Sequence, residues 1–496
     1  MRMLRALYER HPVWCATLVA LVLRLAAARG YAYFASDDYV YALEPAWQWL
    51  AEPAAPFSSH YRSLLFPRAV WALFVGARAL GLTDPAAIVR FAYAALGLWS
   101  LAVVPGTYYL ARARLGEPAA RAAMWLAAAQ ALMPRLATRT LIEVAAMPPL
   151  VWSLVLFESA RTLPRRRHAA LAAMGSAVLL GFAAMLRFHV GLLVLPLGIV
   201  LVWPCLRGLV RRQPGVRAAF AGTAPVFALW LLGLGLAAAA QALLDLATHG
   251  AALASPWRYL TFNLRHSSDF GTSSWTTYLV FFALLTVPPV TLWLARPLAR
   301  AFVMHPSVAA ALATFVAVHS LIGHKEERFM FPVLPLFFVL AGAGLAAMRK
   351  STPGARRAYA GFIVVNVLGL ALATASDSHR ALVDPLLEAG RAGAVRALYV
   401  GRPQLVPSLY FGSRRDVVAV TRASELEGRD WPDGWTRVLG EPGTRPNLAA
   451  LGWRCGETRE SQGDLVDRAL LALNPHNKRR GALAVTDCEK GSPAGR

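Results

Sequence analysis

Long apolar stretches are the feature of this sequence that most limits how it can fold. About eleven of them are long enough to cross roughly 30 Å of hydrocarbon as helices. They lie at about 11–29, 86–111, 118–134, 141–160, 169–187, 189–206, 218–247, 274–296, 300–323, 328–348 and 356–376. Only 16% of the 496 residues are charged, whereas soluble domains average about 25%. The sequence therefore predicts a helical, polytopic membrane protein that sits in a lipid bilayer.

Basic residues are concentrated between these stretches. The chain has 51 Lys and Arg against 28 Asp and Glu, a net charge of +23, which taken alone would also suit a nucleic-acid-binding protein. The basic clusters lie at 2–10, 112–121, 161–167, 207–217, 296–300 and 349–357. Because short basic loops stay on the cytoplasmic side of a membrane, this distribution argues for a membrane protein and against a nucleic-acid partner.

The same rule predicts an orientation. All six clusters fall inside only if a shorter apolar stretch, 64–82, does not cross and instead lies in or against the outer leaflet. Eleven crossings then leave the N-terminus in the cytoplasm, with an uncleaved first span. The C-terminal part of the chain lies outside.

Acidic residues divide the chain into two parts. Residues 1–376 contain 13 Asp and Glu, and the shorter segment 377–496 contains 15. We predict a membrane domain over 1–376, with a first outer loop at 30–85, and a small extracytoplasmic α/β domain over 377–496. Strand-like runs at 397–400, 408–411 and 417–420 and a helix-like run at 465–473 indicate the second domain. Within it, Cys455 and Cys488 form either a disulfide or two unpaired thiols.

Two adjacent carboxylates, Asp37 and Asp38, follow the first span. Like charges side by side favour proton uptake by one of them, which suits a general base that takes a proton from a hydroxyl. Three purely structural roles are also compatible with this pattern: a helix N-cap at Ser36, acidic residues in the first turn of that helix, or a solvated loop.

A second charged feature is the basic turn, His324-Lys325-Glu326-Glu327-Arg328, which separates two apolar spans. Its three cations are suited to bind a phosphate, since Arg offers two parallel donors and Lys a point charge. The glutamates would neutralise them or bind sugar hydroxyls. The alternative is a charged turn that only keeps two helices apart, but turns are usually made of Gly, Asn or Asp. The pattern indicates a functional site.

The segment from His324 to Pro332 resembles the signature of the lumenal mannosyltransferases that build N-glycan and GPI-anchor precursors, which form glycosyltransferase family 22 and have the GT-C fold. Further elements resemble motifs of that family in the same order: Ser36–Glu44, Arg62–Pro67, Thr138–Glu143, Asp245–Asn263 and Gly271–Trp275. The matches run from about 36 to 335. The family's His-Pro before the acidic pair is Ala35-Ser36 here, and its Glu is Asp38.

This resemblance implies an all-α membrane domain of GT-C type and an inverting mannosyl transfer. The donor would be polyprenyl-phosphate-mannose, and the attacking hydroxyl would belong to a glycan or glycolipid acceptor at the outer membrane face. Asp37 would be the general base, with Asp38 orienting it or sharing the role. No metal or other cofactor is implied, because the lipid-phosphate sugar is a substrate. The residues implied to bind the donor phosphate or substrate are His324, Lys325, Glu326, Glu327, Arg328, Arg139, Arg187, Asn263, Glu44 and Arg62.

Several alternatives stay open. Arg187 and His189, at an outer span end, also suit side chains that snorkel to the interface. The protein is alternatively another GT-C transferase with a different lipid-linked sugar or a protein acceptor, a transporter of lipid-linked glycans, or a non-catalytic scaffold. The chain has 47 Arg but 4 Lys, a bias typical of GC-rich bacterial genomes. That bias predicts a bacterial inner-membrane protein whose outer face is the periplasm.

Overall fold

A computed structural model of the protein describes most of the chain. The described residues are 2–57, 59, 61–211, 216–269, 271–288, 290–401, 406–412, 416–427, 429, 431–440, 448–473 and 482–490. Residues 212–215, within one of the basic clusters used to predict the orientation, lie outside them.

Helices dominate these residues. The α-helices are Arg2–Arg10, Pro12–Ala27, Ser36–Asp38, Glu44–Ala51, Leu65–Ala79, Pro85–Ser100, Val103–Leu115, Glu117–Ala129, Met133–Leu136, Ile142–Ala145, Met147–Thr162, Arg166–Leu186, Val194–Val210, Val216–His249, Ala254–His266, Thr277–Leu285, Val290–Met304, Pro306–Leu321, Leu334–Arg349, Pro353–Ala375, Arg380–Arg391 and Leu465–Leu473. A π-helix spans Tyr39–Leu43, and 3₁₀ helices span Phe188–Leu193, Glu327–Val333, Ser408–Tyr410, Ala423–Leu426 and Ala449–Leu451.

The helical membrane domain predicted from the apolar stretches is confirmed, with fewer full-length spans than expected. Among the described residues seven helices are long and apolar enough to cross a membrane, or eight if the bent pair Thr277–Leu285 and Val290–Met304 is one span. Each predicted stretch does contain a helix, but several are too short. The 118–134 stretch is a 13-residue helix, about 20 Å long, that ends where Gln130 becomes extended. Pro12–Ala27 and Pro306–Leu321 are also short apolar helices.

Small residues let these helices approach closely. A Cβ on Gly342 would lie 2.6 Å from the backbone nitrogen of Ala123 on Glu117–Ala129. A Cβ on Gly233 would lie 2.5 Å from the carbonyl oxygen of Met174 on Arg166–Leu186. Because lipid chains are as apolar as the side chains, such close packing stabilises helix pairs in a bilayer. The Ala- and Gly-rich composition of the spans thus supports the bundle directly.

The chain forms two compact units. The first, hereafter the membrane unit, comprises Met1–Ala26, Phe57–Phe66 and Leu96–Thr374. The second is hereafter the outer unit, a name taken from the predicted location of its first loop. It comprises Ala27–Pro56, Pro67–Ala95 and Ala375–Arg496, so it groups the first loop with residues 375–496.

Within the outer unit, two helices carry the first loop. On Leu65–Ala79, Val70, Phe74 and Ala77 are fully buried, at the spacing of one helix face. Arg68 lies 3.9 Å above the ring of Trp49, which belongs to Glu44–Ala51. The predicted non-crossing stretch is therefore an amphipathic helix, and its placement against the outer leaflet remains a prediction.

A mixed sheet forms the rest of the outer unit. Its strands are β1 (Arg396–Val400), β2 (Val417–Val420), β3 (Trp435–Gly440), β4 (Trp453–Cys455), β5 (Arg459–Ser461) and β6 (Leu483–Lys490). The order is β2-β1-β3-β6-β4, with β5 also pairing β6; β2 and β3 run parallel to β1, and the pairs with β6 are antiparallel.

The sequence predicted part of this sheet. The strand-like runs at 397–400 and 417–420 and the helix at 465–473 are confirmed. The strand expected at 408–411 is wrong, because Ser408–Tyr410 is a single 3₁₀ turn. Its buried polar side chains bond to the first loop and not to the sheet. Strands β3 to β6 were not predicted.

Cys455 and Cys488 form a disulfide that joins β4 to β6, so of the two alternatives the bridge is the one present. The cysteines are 33 residues apart. Cys15 and Cys205 are free.

We expect replacement of both bridged cysteines by alanine to lower the free energy of unfolding of the sheet by about 3–4 kcal/mol, the loop-closure value for this separation. Thermal unfolding of the full chain in detergent measures this, with Cys15→Ala as the control that removes a thiol and no bridge. Equal melting temperatures for the double variant and the control would contradict it.

Candidate functional site

The acidic pair lies on a short helix of the outer unit, Ser36–Asp38, which continues into the π-helix Tyr39–Leu43. Asp38 is buried, and its two carboxylate oxygens accept the backbone N–H groups of Phe34 at 2.9 Å and Ala35 at 3.0 Å. Asp37 is half-buried. Asp38 thus has the role expected of an acidic residue in a first helical turn, reaching back to cap that turn. Asp37 is the more accessible carboxylate of the two, and π-helices are frequent at functional sites.

Glu44, at the end of the π-helix, is held by hydroxyl and amide donors. Ser408 donates to it at 2.7 Å, the amide of Gln48 at 3.2 Å, and the phenol of Tyr39 donates as well. Burial, followed by the Glu44 carboxylate, raises the pKa of Tyr39 well above its ordinary value. Tyr39 therefore stays protonated and remains a donor at physiological pH.

In the membrane unit, the basic turn is internally paired. Glu326 accepts Arg328 through two bonds, from Nε at 2.5 Å and Nη2 at 2.9 Å, and lies 2.9 Å from Nε2 of His324. Lys325 donates to the carbonyl oxygens of Ile322 and Ser273, at 2.5 and 3.0 Å. Lys325 thus caps the C-terminal end of the preceding helix, where a cation is favourable. Glu327 is exposed.

The ring of Phe329 connects this turn to Arg187 and His189. The guanidinium carbons of Arg328 and Arg187 lie 5.6 and 5.7 Å from its centroid. The ring centroids of His324 and His189 lie 5.8 and 6.4 Å from it. These distances are within cation–π range for the arginines. Four basic side chains from two distant segments of the sequence therefore lie near one aromatic ring.

Arg187 and Glu143 form a buried ion pair at 3.1 Å, both at most 5% exposed. Arg187 also lies 5.8 Å from the ring of Tyr259. The carbonyl of Tyr259 accepts the side-chain amide of Asn263 at 2.7 Å. The structure therefore brings Arg187, one of the predicted site residues, to the ring of Phe329 together with its partner Glu143. The side chain of Asn263, another predicted site residue, bonds within its own helix.

The other two predicted cations, Arg139 and Arg62, contact neighbours other than Phe329. Arg139 is buried and donates to the hydroxyl of Thr138 at 3.2 Å. Arg62 is half-buried and follows Tyr61, whose ring stacks at 4.6 Å on Phe262. Since Phe262 precedes Asn263, the segment with Arg62 packs on the helix Ala254–His266.

His189 lies near Phe329, although the sequence suggested for it only the role of a side chain that snorkels to the interface. Its Nδ1 lies 3.4 Å from the hydroxyl of Tyr259, and its Nε2 has no hydrogen-bond partner among the described residues. His189 is 9% exposed and Arg187 is 5% exposed, so neither fits a side chain that snorkels to water. The only sequence signal was the position of both residues at a span end.

We expect Glu143→Gln to lower the free energy of unfolding by about 3–5 kcal/mol, because Arg187 would lose its buried carboxylate partner. Asp84→Asn is the matched control: it removes the partner of Arg391 in a half-exposed pair, worth at most about 1 kcal/mol, and Asn still caps the helix that follows. Thermal unfolding in detergent compares the two, and an equal loss in both would contradict the expectation.

Comparisons with known proteins give three kinds of similarity. The model of the Alg9-like mannosyltransferase family matches residues 15–387. The chain is 28% identical to GPI alpha-1,2-mannosyltransferase 3 of Danio rerio over 134 residues, 26% of this chain and 24% of that one. It is 32% identical to alpha-1,2-mannosyltransferase ALG9 of Mus musculus over 142 residues, 25% of this chain and 23% of that one. The chain thus matches about a quarter of the length of these relatives.

Solved structures share the fold. ArnT from Cupriavidus metallidurans, bound to undecaprenyl phosphate, superposes with a TM-score of 0.56 over 96% of this chain and 97% of that one, at 13% identity. An oligosaccharyltransferase from Archaeoglobus fulgidus superposes with a TM-score of 0.52 over 82% of this chain and 62% of that one, at 10% identity. Similarity at this level of identity concerns the fold.

Proposed function

Because the chain belongs to the Alg9-like mannosyltransferase family, we propose that it transfers mannose with inversion from polyprenyl-phosphate-mannose to a glycan or glycolipid at the outer face of a membrane. Membership makes the protein a hexosyltransferase, and its fold is of GT-C type. The lipid-phosphate donor, the identity of the sugar, the acceptor and the membrane are the parts proposed. The ArnT structure, bound to undecaprenyl phosphate, supports a bacterial polyprenyl carrier.

Asp37 acts as the general base. It takes the proton from the acceptor hydroxyl while that oxygen forms a bond to the anomeric carbon of the donor. The bond from this carbon to the phosphate oxygen breaks, and the phosphate leaves with the electron pair and needs no proton. The observation that carries this assignment is the contrast within the pair: Asp38 accepts two backbone N–H groups, whereas Asp37 is half-buried and more accessible. Asp38 orients the turn that presents Asp37.

The cations around Phe329 bind the donor phosphate. Arg187 and the basic turn supply positive charge where the leaving phosphate develops negative charge, which stabilises the transition state. A buried polar nitrogen without a partner costs about 1–3 kcal/mol, and Nε2 of His189 is such an atom among the described residues. An oxygen of the donor satisfies it. Arg139, Arg62 and Asn263 support this cluster.

In this proposal the first loop, 30–85, and the domain at 377–496 lie on the periplasmic side of a bacterial inner membrane, with the N-terminus in the cytoplasm. The disulfide between Cys455 and Cys488 supports that side, because disulfides persist in oxidising compartments. The positive-inside distribution of Arg supports the same orientation.

We expect Asp37→Asn to lower the rate of mannosyl transfer by at least about 100-fold, the contribution typical of a general base, with little change in the KM for the donor. The assay uses purified enzyme in vesicles with radiolabelled polyprenyl-phosphate-mannose and total membrane lipids as acceptor. Glu52→Gln is the control, because Glu52 is an exposed carboxylate of the same loop.

Each result has a defined meaning. Loss of mannosyl transfer in Asp37→Asn, with activity kept in Glu52→Gln, supports Asp37 as the general base. The labelled product of the wild-type enzyme identifies the acceptor. Equal activity in both variants would contradict the role of Asp37. If the wild-type enzyme transfers another lipid-linked sugar and no mannose, the donor assignment is wrong.

A further inference from the structure

The backbone just before the acidic pair has no regular structure, yet its polar groups are satisfied by side chains. Asp377 accepts the N–H groups of Tyr31 and Ala32, at 3.0 and 3.2 Å. The phenol of Tyr410 donates to the carbonyl of Tyr31 at 2.6 Å. These partners come from more than 340 residues later in the chain. A loop without strand or helix is thus fixed in place by the C-terminal segment.

Two further contacts join the C-terminal segment to the loop before the acidic pair. Nδ1 of His379 lies 3.1 Å from the carbonyl oxygen of Tyr33, and the two rings stack at 4.2 Å. His379 has a φ of 65°, a left-handed conformation that costs energy in a residue other than glycine. The phenol of Tyr31 donates to Asp384 at 2.6 Å. The ring of His379 contacts the loop from this backbone conformation.

The C-terminal segment also reaches the other side of the pair. Ser408 donates to Glu44 at 2.7 Å, and Glu44 in turn accepts Tyr39, which directly follows Asp38. Residues on both sides of Asp37 are therefore bonded to the same stretch, 377–410.

The two phenol donors in this arrangement do not titrate near neutral pH. Burial raises the pKa of Tyr410 well above its ordinary value, and burial with the hydrogen bond to Asp384 raises the pKa of Tyr31 to about 12. Both phenols remain protonated, so their hydrogen bonds persist over the physiological range.

We infer that Asp377, Tyr410 and Ser408 are positioning residues for mannosyl transfer: the C-terminal segment holds the loop that presents Asp37 to the acceptor hydroxyl. This inference rests on the proposed role of Asp37. It assigns residues 377–410 a part in the reaction through their contacts with the first loop and Glu44. Because a small misplacement of a catalytic group costs up to about 100-fold in rate, the contacts matter for turnover.

The test uses full-length enzyme with three variants. Tyr410→Phe removes one hydroxyl and keeps the ring, Asp377→Asn keeps one acceptor oxygen, and Asp377→Ala keeps none. The matched control is Thr436→Val, which deletes a buried hydroxyl that accepts Trp431 at 2.8 Å within the sheet. We expect kcat to fall at least tenfold in Tyr410→Phe and further from Asp377→Asn to Asp377→Ala. The KM for the lipid donor should stay within about twofold, and Thr436→Val should keep wild-type kcat.

Hydrogen–deuterium exchange of the peptide that covers residues 29–41 supplies a readout independent of activity. We expect exchange at Tyr31 and Ala32 to become at least tenfold faster in Asp377→Ala and to stay unchanged in Thr436→Val. Unchanged exchange, or a kcat loss that merely follows the folded fraction in all four variants, would overturn the inference. A wild-type enzyme that transfers no mannose, with faster exchange in Asp377→Ala, would overturn the proposed donor and support the attachment.

Discussion

The carboxylate of Asp377 is the contact on which the outer unit depends. It binds backbone N–H groups 346 and 345 residues earlier in the chain, where no strand among the described residues accepts them. A buried N–H group left without an acceptor costs as much as a lost hydrogen bond, so the irregular course of the chain through Tyr31 and Ala32 is stable only with this partner. The grouping of 27–56 with 375–496 in one compact unit follows from contacts of this kind.

In the membrane unit, buried and half-buried carboxylates are paired with basic side chains. Glu326 pairs with Arg328 through two bonds and lies against His324, and Glu143 pairs with Arg187. Each carboxylate lowers the cost of keeping cations in a poorly hydrated place. The ring of Phe329 lies within cation–π distance of an arginine from each pair, Arg328 and Arg187. An anionic ligand at this cluster therefore meets cations whose positions are already fixed, and little reorganisation is needed to bind it.

The sequence predicted what depends on composition and local motifs, and missed what depends on distant contacts. Apolar length identified the membrane helices, but hydropathy does not register the extended residue Gln130 that ends one helix after 13 residues. Short strand-like runs identified β1 and β2, but the same signal at Ser408–Tyr410 was misleading, because those side chains bond to the first loop. The acidic pair and the basic turn were visible as charge in an apolar context. The role of Asp377 was not, because nothing local marks a partner 346 residues away.

One consequence concerns how the protein is made. The first loop is synthesised about 340 residues before the segment that contacts it, which at 5–20 residues per second is a delay of roughly 20–70 s. Throughout that interval the nascent chain holds Asp37 on a loop whose partners do not yet exist. A ribosome that stalls after the last membrane helix leaves an inserted but immature protein. The first loop therefore gains these contacts only after residues 377–410 have been synthesised.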